Sequence, residues 1–221
     1  FPKLQYFRNI AINYLKALKK EIISRDISKN LKTIYVGGGT PTSLDDDLFL
    51  ELLEIIKPYS TKVEEYTFEA NPESLSETKI KMMKDYGVNR ISIGVESTDD
   101  NILKLINRHH RFADVCRAVN LLNKYGIDNY NLDLILGLPH SSREILKKDL
   151  NNLLSLSPKH LSTYSLTVNP HTVFYLNKIE EMNPDIYRDL YDIVHDTLLE
   201  KGFIHYEISN FALPNYQSKH N

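Results

Sequence analysis

At 221 residues, with 42% hydrophobic and 25% charged side chains, the chain has the make-up of one well-cored globular domain and is short for two. A net charge of -2 gives nucleic acid or an anionic membrane no electrostatic footing as a partner, and no apolar run nears the ~18 residues of a spanning helix. One cysteine, Cys116, excludes a disulfide framework and any cysteine-held metal cluster within this sequence. No signal-peptide pattern is present, so a cytoplasmic location is expected. Phe1-Pro2-Lys3-Leu4-Gln5 lacks an initiator Met and the chain stops at His220-Asn221, so both ends read as cut.

In chain order, a helix comes first, with Ile10, Tyr14, Leu15, Leu18 and Ile22 expected on its inner face. A β-branched run, Thr33 to Val36, ends at three glycines, Gly37, Gly38 and Gly39, and a helix spans Asp45 to Lys57. The second unit is a strand from Glu65 to Ala70, broken by Asn71-Pro72, with Ser76 as N-cap of a helix ending at Gly87. The third has a strand from Arg90 to Val95 and helices near Asp99 to Ile106 and Ala113 to Tyr125. Cys116 falls on the apolar side of the latter, as a buried small hydrophobe. A fourth strand, Asn131 to Leu136, precedes a helix from Arg143 to Leu154, and a fifth runs from Leu161 to Thr167. A helix from Asp185 to Lys201 then leads to one added strand, Phe203 to Ile208.

Strands alternating with helices make βαβ units, with right-handed crossovers by the usual rule. Periodicity leaves two architectures open, a curved open barrel and a doubly wound sheet. In both, ligands bind beyond the C-terminal ends of the strands. That singles out Gly37 to Thr40, Glu69 to Asn71, Gly94 to Ser97, Asp133 to Pro139 and Ser165 to Asn169. The glycines permit close backbone approach to a ligand, or merely a tight turn; the Lys of a phosphate loop is missing. Glu69 could accept from the amine or ribose hydroxyls of a ligand, or pair with a neighbouring cation. Asp133, flanked by Leu132 and Leu134-Ile135-Leu136, carries a charge where a partner is required. Adjacent His109 and His110 point apart on regular backbone, and no third ligand lies at metal spacing.

Taken together, these strand ends resemble a family. Tyr35-Val36-Gly37-Gly38-Gly39-Thr40-Pro41-Thr42, Glu69-Ala70-Asn71-Pro72-Glu73, Arg90-Ile91-Ser92-Ile93-Gly94-Val95, Asn131-Leu132-Asp133-Leu134-Ile135 with Gly137-Leu138-Pro139, and Leu161-Ser162-Thr163-Tyr164-Ser165-Leu166 follow the order found in radical SAM proteins of the anaerobic coproporphyrinogen III oxidase group. Tyr206 to Ala212 and Ser218 to Asn221 look like the heme-chaperone (HemW) branch of that group.

The resemblance implies an α/β fold, a partial (β/α)6 TIM-like barrel truncated at its N-terminus. Residues 1–170 would be the core, lacking its first strand and cluster loop, and residues 171–221 the start of a C-terminal region packed on it. It implies S-adenosylmethionine contacts from Gly38, Gly39, Thr40, Glu69, Arg108 and Asp133, and from Glu96, which stands where the family usually has Gln. Ionised Glu only accepts, whereas Gln also donates. The family's 4Fe-4S cluster ligands, three cysteines, would lie upstream, so no metal ligand is expected here and no catalytic residue is assigned. A heme or porphyrin ligand and an apo-hemoprotein acceptor are the implied partners. His220 is an axial-ligand candidate, with a plain surface histidine as the alternative. Heme delivery and radical decarboxylation of porphyrinogen propionates are the two implied activities.

Overall fold

The computed structural model describes residues 6–221; the opening Phe1 to Gln5 lies outside them. Its elements are α1 (Arg8–Ser24), β1 (Thr33–Val36), α2 (Asp46–Ser60), β2 (Glu65–Ala70), α3 (Glu77–Asp85), β3 (Arg90–Glu96), α4 (Asp100–Leu105), α5 (Phe112–Lys124), β4 (Tyr130–Leu136), α6 (Arg143–Ser155), β5 (His160–Ser165), α7 (Val173–Leu176), α8 (Pro184–Glu200), β6 (Ile204–Glu207) and β7 (Asn210–Ala212). The strands form one seven-stranded sheet in the order β1-β2-β3-β4-β5-β7-β6, curled into a half barrel. β1 to β5 run parallel, and β7 adds antiparallel to β5 with β6 outside it. The sheet continues past the barrel units by this hairpin. No described helix is long and apolar enough to cross a membrane.

The two faces of the sheet differ in chemistry, and strand alternation explains how. On one face Tyr66, Phe68, Ile91, Ile93, Val95, Leu132, Leu134 and Leu161 are buried against the helices, including Phe49 and Leu53 of α2, Val115 and Leu122 of α5, and Val194 and Leu198 of α8. This is the core, and burial of apolar area at roughly 25 cal/mol per Å² makes it the main stabilising term. The opposite, inner face carries Tyr35, Glu65, Thr67, Glu69, Arg90, Ser92, Asn131, Asp133, His160 and Ser162. Register aligns Glu69 with Ser92, Ser92 with Asn131, Gly94 with Asp133, and Asp133 with Ser162. A polar inner face suits a barrel built around a ligand.

Local signals set the helix starts. The Ser76 hydroxyl accepts from the Lys79 N–H at 3.2 Å, capping α3 as expected. Other expectations shift. On α1 only Leu15 is fully buried; Ile10 and Tyr14 are 61% and 63% exposed, so the inner stripe lies along Ala11, Leu15, Leu18 and Ile22. α2 runs through Pro58 to Ser60, because a proline this near the C-terminus forfeits only one helical bond. Cys116 is half-buried on the flank of α5 rather than inside it, and burial still pushes its thiol pKa up. The expected single strand from Phe203 to Ile208 is a hairpin, since the turn after Glu207 returns the chain and leaves Asn210–Ala212 to pair with β5.

Candidate functional site

Glu69, near the end of β2, reaches under the glycine turn that follows β1. Its carboxylate accepts from the Gly38 N–H at 3.1 Å and the Tyr35 hydroxyl at 3.0 Å. A Cβ on Gly37 would lie 2.5 Å from the Glu69 carboxyl carbon, so this glycine is needed for the carboxylate to sit there. Gly38 turns the chain at φ 86°, and a Cβ on Gly38 or Gly39 would meet nothing within 4 Å. The glycines therefore border open space above the strand ends.

A second cluster lies across the same mouth. The Thr40 hydroxyl accepts from Asn71 Nδ2 at 3.1 Å, and Asn71 Oδ1 accepts from Arg108 at 3.2 Å. The other Arg108 terminal nitrogen pairs with Glu96. Two local distortions aim these groups. Asn107, at φ 59°, turns the chain after α4 and brings Arg108 back over the sheet. Glu96 sits at φ 70° where the β3–β4 register shifts, a left-handed conformation that costs a non-glycine residue about 1–3 kcal/mol. Gly94 leaves room beneath, since a Cβ there would come 3.1 Å from Glu96 Oε1 and 3.6 Å from the Arg108 guanidinium. Burial lowers the Arg108 pKa, and the negative charges of Glu73 and Asp133 oppose that fall.

Asp133 projects from β4 on the inner face and accepts from Asn131 Nδ2 at 2.6 Å. Burial raises its pKa to about 6; the Asn131 hydrogen bond, Arg90 and the nearby Ser162 hydroxyl pull it down, and Glu69 pushes it up. This carboxylate is held but not satisfied. Arg90, 3% exposed, also faces inward, and its Nε has no partner among the described residues.

The seven residues singled out in the sequence (Gly38, Gly39, Thr40, Glu69, Glu96, Arg108 and Asp133) thus line one mouth or touch a neighbour that does. Gly37, Asn71 and Gly94 stood among the strand-end positions without a role of their own, and sequence reasoning missed Tyr35 and Asn131, which precede those ends. His110 is buried, with Nε2 3.1 Å from the Val95 carbonyl, which ties the Arg108 loop down. His220 stacks on Tyr35 with ring centroids 5.1 Å apart and lies 3.0 Å from the Thr33 hydroxyl. Among the described residues no group of three or more His, Cys, Asp and Glu side chains could hold a metal ion.

Chemically the mouth offers three carboxylates, Glu69, Glu96 and Asp133, against the Arg108 guanidinium, with Arg90 deeper on the inner face and glycine backbone at the rim. Such a site suits a ligand of net positive charge that carries hydroxyl or ammonium donors and one carboxylate.

The family profile of the Radical SAM superfamily matches residues 7–153. The chain is 40% identical over 220 residues to the heme chaperone HemW of Bacillus subtilis, covering 94% of this chain and 58% of that protein. It is 32% identical over 202 residues to an anaerobic coproporphyrinogen III oxidase of Cereibacter sphaeroides, covering 88% and 45%. Among solved structures, coproporphyrinogen III oxidase (HemN) from Escherichia coli aligns with a TM-score of 0.84 at 24% identity, over 96% of this chain and 51% of that one. The chain spans about half the length of these relatives.

Proposed function

The chain belongs to the radical SAM superfamily, and from that premise we propose that its mouth binds S-adenosylmethionine in a HemW-like heme chaperone. The observation that carries this reading is the convergence of Glu69 under the Gly38 N–H, Arg108 on Asn71 and Glu96, and Asp133 on one opening. Gly38 and Gly39 would let the ligand approach the backbone. Glu69 and Asp133 would accept from its ribose hydroxyls or ammonium, and Arg108 would face its carboxylate. Thr40, through Asn71, would hold Arg108 in place, with Glu96 as its counter-charge. When bound, S-adenosylmethionine supplies a sulfonium carbon–sulfur bond open to one-electron cleavage. The protein's own part is to bind, orient and shield. The 4Fe-4S cluster that the family implies does not fit the described residues, whose one thiol, Cys116, lies on the flank of α5; its ligands would have to come from outside them.

In this reading residues 1–170 are the radical SAM core and residues 171–221 begin a C-terminal region packed on it. The whole protein, located in the cytoplasm, would bind heme and hand it to an apo-hemoprotein. The 40% identity to a heme chaperone supports this branch. A second reading, oxygen-independent coproporphyrinogen III oxidase, draws on the 32% identity to the anaerobic oxidase of Cereibacter sphaeroides. Anaerobic reconstitution of the full-length protein separates them. Stoichiometric heme binding without conversion of coproporphyrinogen III is expected. Turnover with release of 5′-deoxyadenosine overturns the chaperone reading in favour of the oxidase.

A further inference from the structure

Behind Asp133 the inner face holds a chain of buried hydrogen bonds that runs away from the mouth to the hairpin. Asn131 Nδ2 donates to Asp133 at 2.6 Å and to the Ser92 hydroxyl at 2.8 Å. With both amide hydrogens committed, Asn131 Oδ1 must accept, and His160 Nδ1 stands 2.7 Å from it. That places the imidazole proton on Nδ1, so Nε2 is the acceptor for the Tyr206 hydroxyl, also at 2.7 Å. Burial, with Arg90 adding to it, depresses the His160 pKa to about 3, which keeps the ring neutral and this tautomer in force. A second arm runs beside the first. Ser162 lies 3.0 Å from Asn131 Oδ1 and 2.8 Å from Asn210 Oδ1. Tyr206 belongs to β6 and Asn210 to β7, so both arms end on the hairpin that closes the sheet.

We propose that Tyr206, His160 and Asn131 form a positioning relay that fixes Asp133 for its ligand and couples that carboxylate to the β6–β7 hairpin. The relay works by direction. An asparagine amide can turn over and present oxygen where nitrogen was, which would set an acceptor against the carboxylate. The His160 Nδ1–H forbids that flip, and the Tyr206 hydroxyl holds His160 in the tautomer that does so. Ser162 has one proton for two oxygens, and when it points to Asn131 Oδ1 rather than Asn210 Oδ1 it adds a second restraint on the same oxygen. Part of this inference rests on S-adenosylmethionine being the ligand of the mouth; the effect on Asp133 itself does not.

The test is the ionisation of Asp133 in the full-length protein, followed by carboxyl carbon-13 NMR without ligand and by S-adenosylmethionine titration between pH 5 and 8. The charged and titratable groups facing Asp133 are Glu69, Tyr35, Arg90, Arg108 and Tyr164, and none of them is substituted in the variants. Losing a correctly aimed donor raises a carboxyl pKa, so the midpoint should climb from about 6. His160→Leu is expected to raise it by about one pH unit, with affinity near pH 6.5 falling up to about tenfold. His160→Gln, which keeps a donor for Asn131, should restore most of the difference. Tyr206→Phe keeps the ring and loses only the hydroxyl, and should move the midpoint by roughly half as much. If His160→Leu does not fold, Tyr206→Phe carries the test alone. A midpoint unchanged in a folded variant overturns the relay. A shifted midpoint with Asp133→Asn binding S-adenosylmethionine as tightly as the parent keeps the relay and removes the ligand assignment.

Discussion

Two aspartates, both drawn into the protein from water, show what separates a structural carboxylate from one kept for a ligand. Asp149, on α6, is 4% exposed and accepts from the Ser97 hydroxyl at 2.9 Å, the Thr98 N–H at 2.8 Å and the Thr98 hydroxyl at 2.5 Å. It fastens α6 to the turn after β3, and the Asn152 amide closes the cluster on Thr98 at 2.8 Å. Asp133 has one hydrogen-bond donor in the structure and a second carboxylate, Glu69, near enough to oppose its ionisation. Burial raises the pKa of both. In Asp149 the protein offsets that burial with its own donors; in Asp133 the offset is left to whatever enters the mouth.

The largest effect is expected from breaking the satisfied member. Asp149→Ala leaves two hydroxyls and a backbone N–H without an acceptor, and should destabilise the protein by about 3–5 kcal/mol in urea denaturation. A loss below about 1 kcal/mol would mean that the cluster is peripheral.

Asp133→Asn should do the reverse. The folded-state pKa, raised from 3.8 to about 6, marks an ionised form that the fold disfavours. The penalty is absent below about pH 4, grows between pH 4 and 6, and is complete above. At 1.36 kcal/mol per unit this is on the order of 3 kcal/mol. The ligand-free variant should therefore be more stable than its parent at pH 7 and no more stable at pH 4, while S-adenosylmethionine affinity falls about tenfold or more. Equal stability at both pH values, measured by denaturation, would place Asp133 in water and end the contrast. A smaller effect is expected from Gly37→Ala. The new Cβ, 2.5 Å from the Glu69 carboxyl carbon, must push that carboxylate aside, at about 1–3 kcal/mol and with weakened binding. Unchanged affinity in a titration would remove Glu69 from the site.

Much of the mouth was legible because strand ends are legible: a β-branched run followed by glycine or Asn-Pro marks where a strand stops, and Glu69 and Thr40 stand at such stops. Asp133 was visible as a charge inside an apolar run. Asn131 was not, because an asparagine two residues before it reads as ordinary strand polarity until register sets it beside Ser92 and His160. Asp149 was invisible for the opposite reason. In Lys147-Lys148-Asp149 it looks like one more charge on a solvated helix face, and only the turn after β3 gives it partners. Tyr206 and Asn210 were noticed as a family-like segment, but their task depends on β7 pairing with β5, a non-local contact that one expected strand concealed. The exposed Ile10 and Tyr14 show the limit of periodicity. It tells which residues share a stripe, and packing decides where the stripe's centre falls.

Glu96 stands between the two aspartates, since its partner is the protein's own Arg108, which is also the cation proposed to face a ligand carboxylate. An ionised Glu96 competes with that carboxylate; a glutamine would keep the hydrogen bond and give up the charge. Glu96→Gln should therefore tighten S-adenosylmethionine binding about three- to tenfold at low salt, the range of a partly screened charge contact, with the gain shrinking as salt is added. Methylthioadenosine, which has neither the carboxylate nor the sulfonium, separates two origins of the change. Release of Arg108 predicts that its affinity stays put while that of S-adenosylmethionine rises. A general fall in the negative charge of the mouth predicts weaker binding of the cationic ligand instead. Should calorimetry find S-adenosylmethionine bound more weakly by Glu96→Gln, Glu96 belongs with Asp133 among the groups that hold the ligand, and Arg108 is not the contact it restrains.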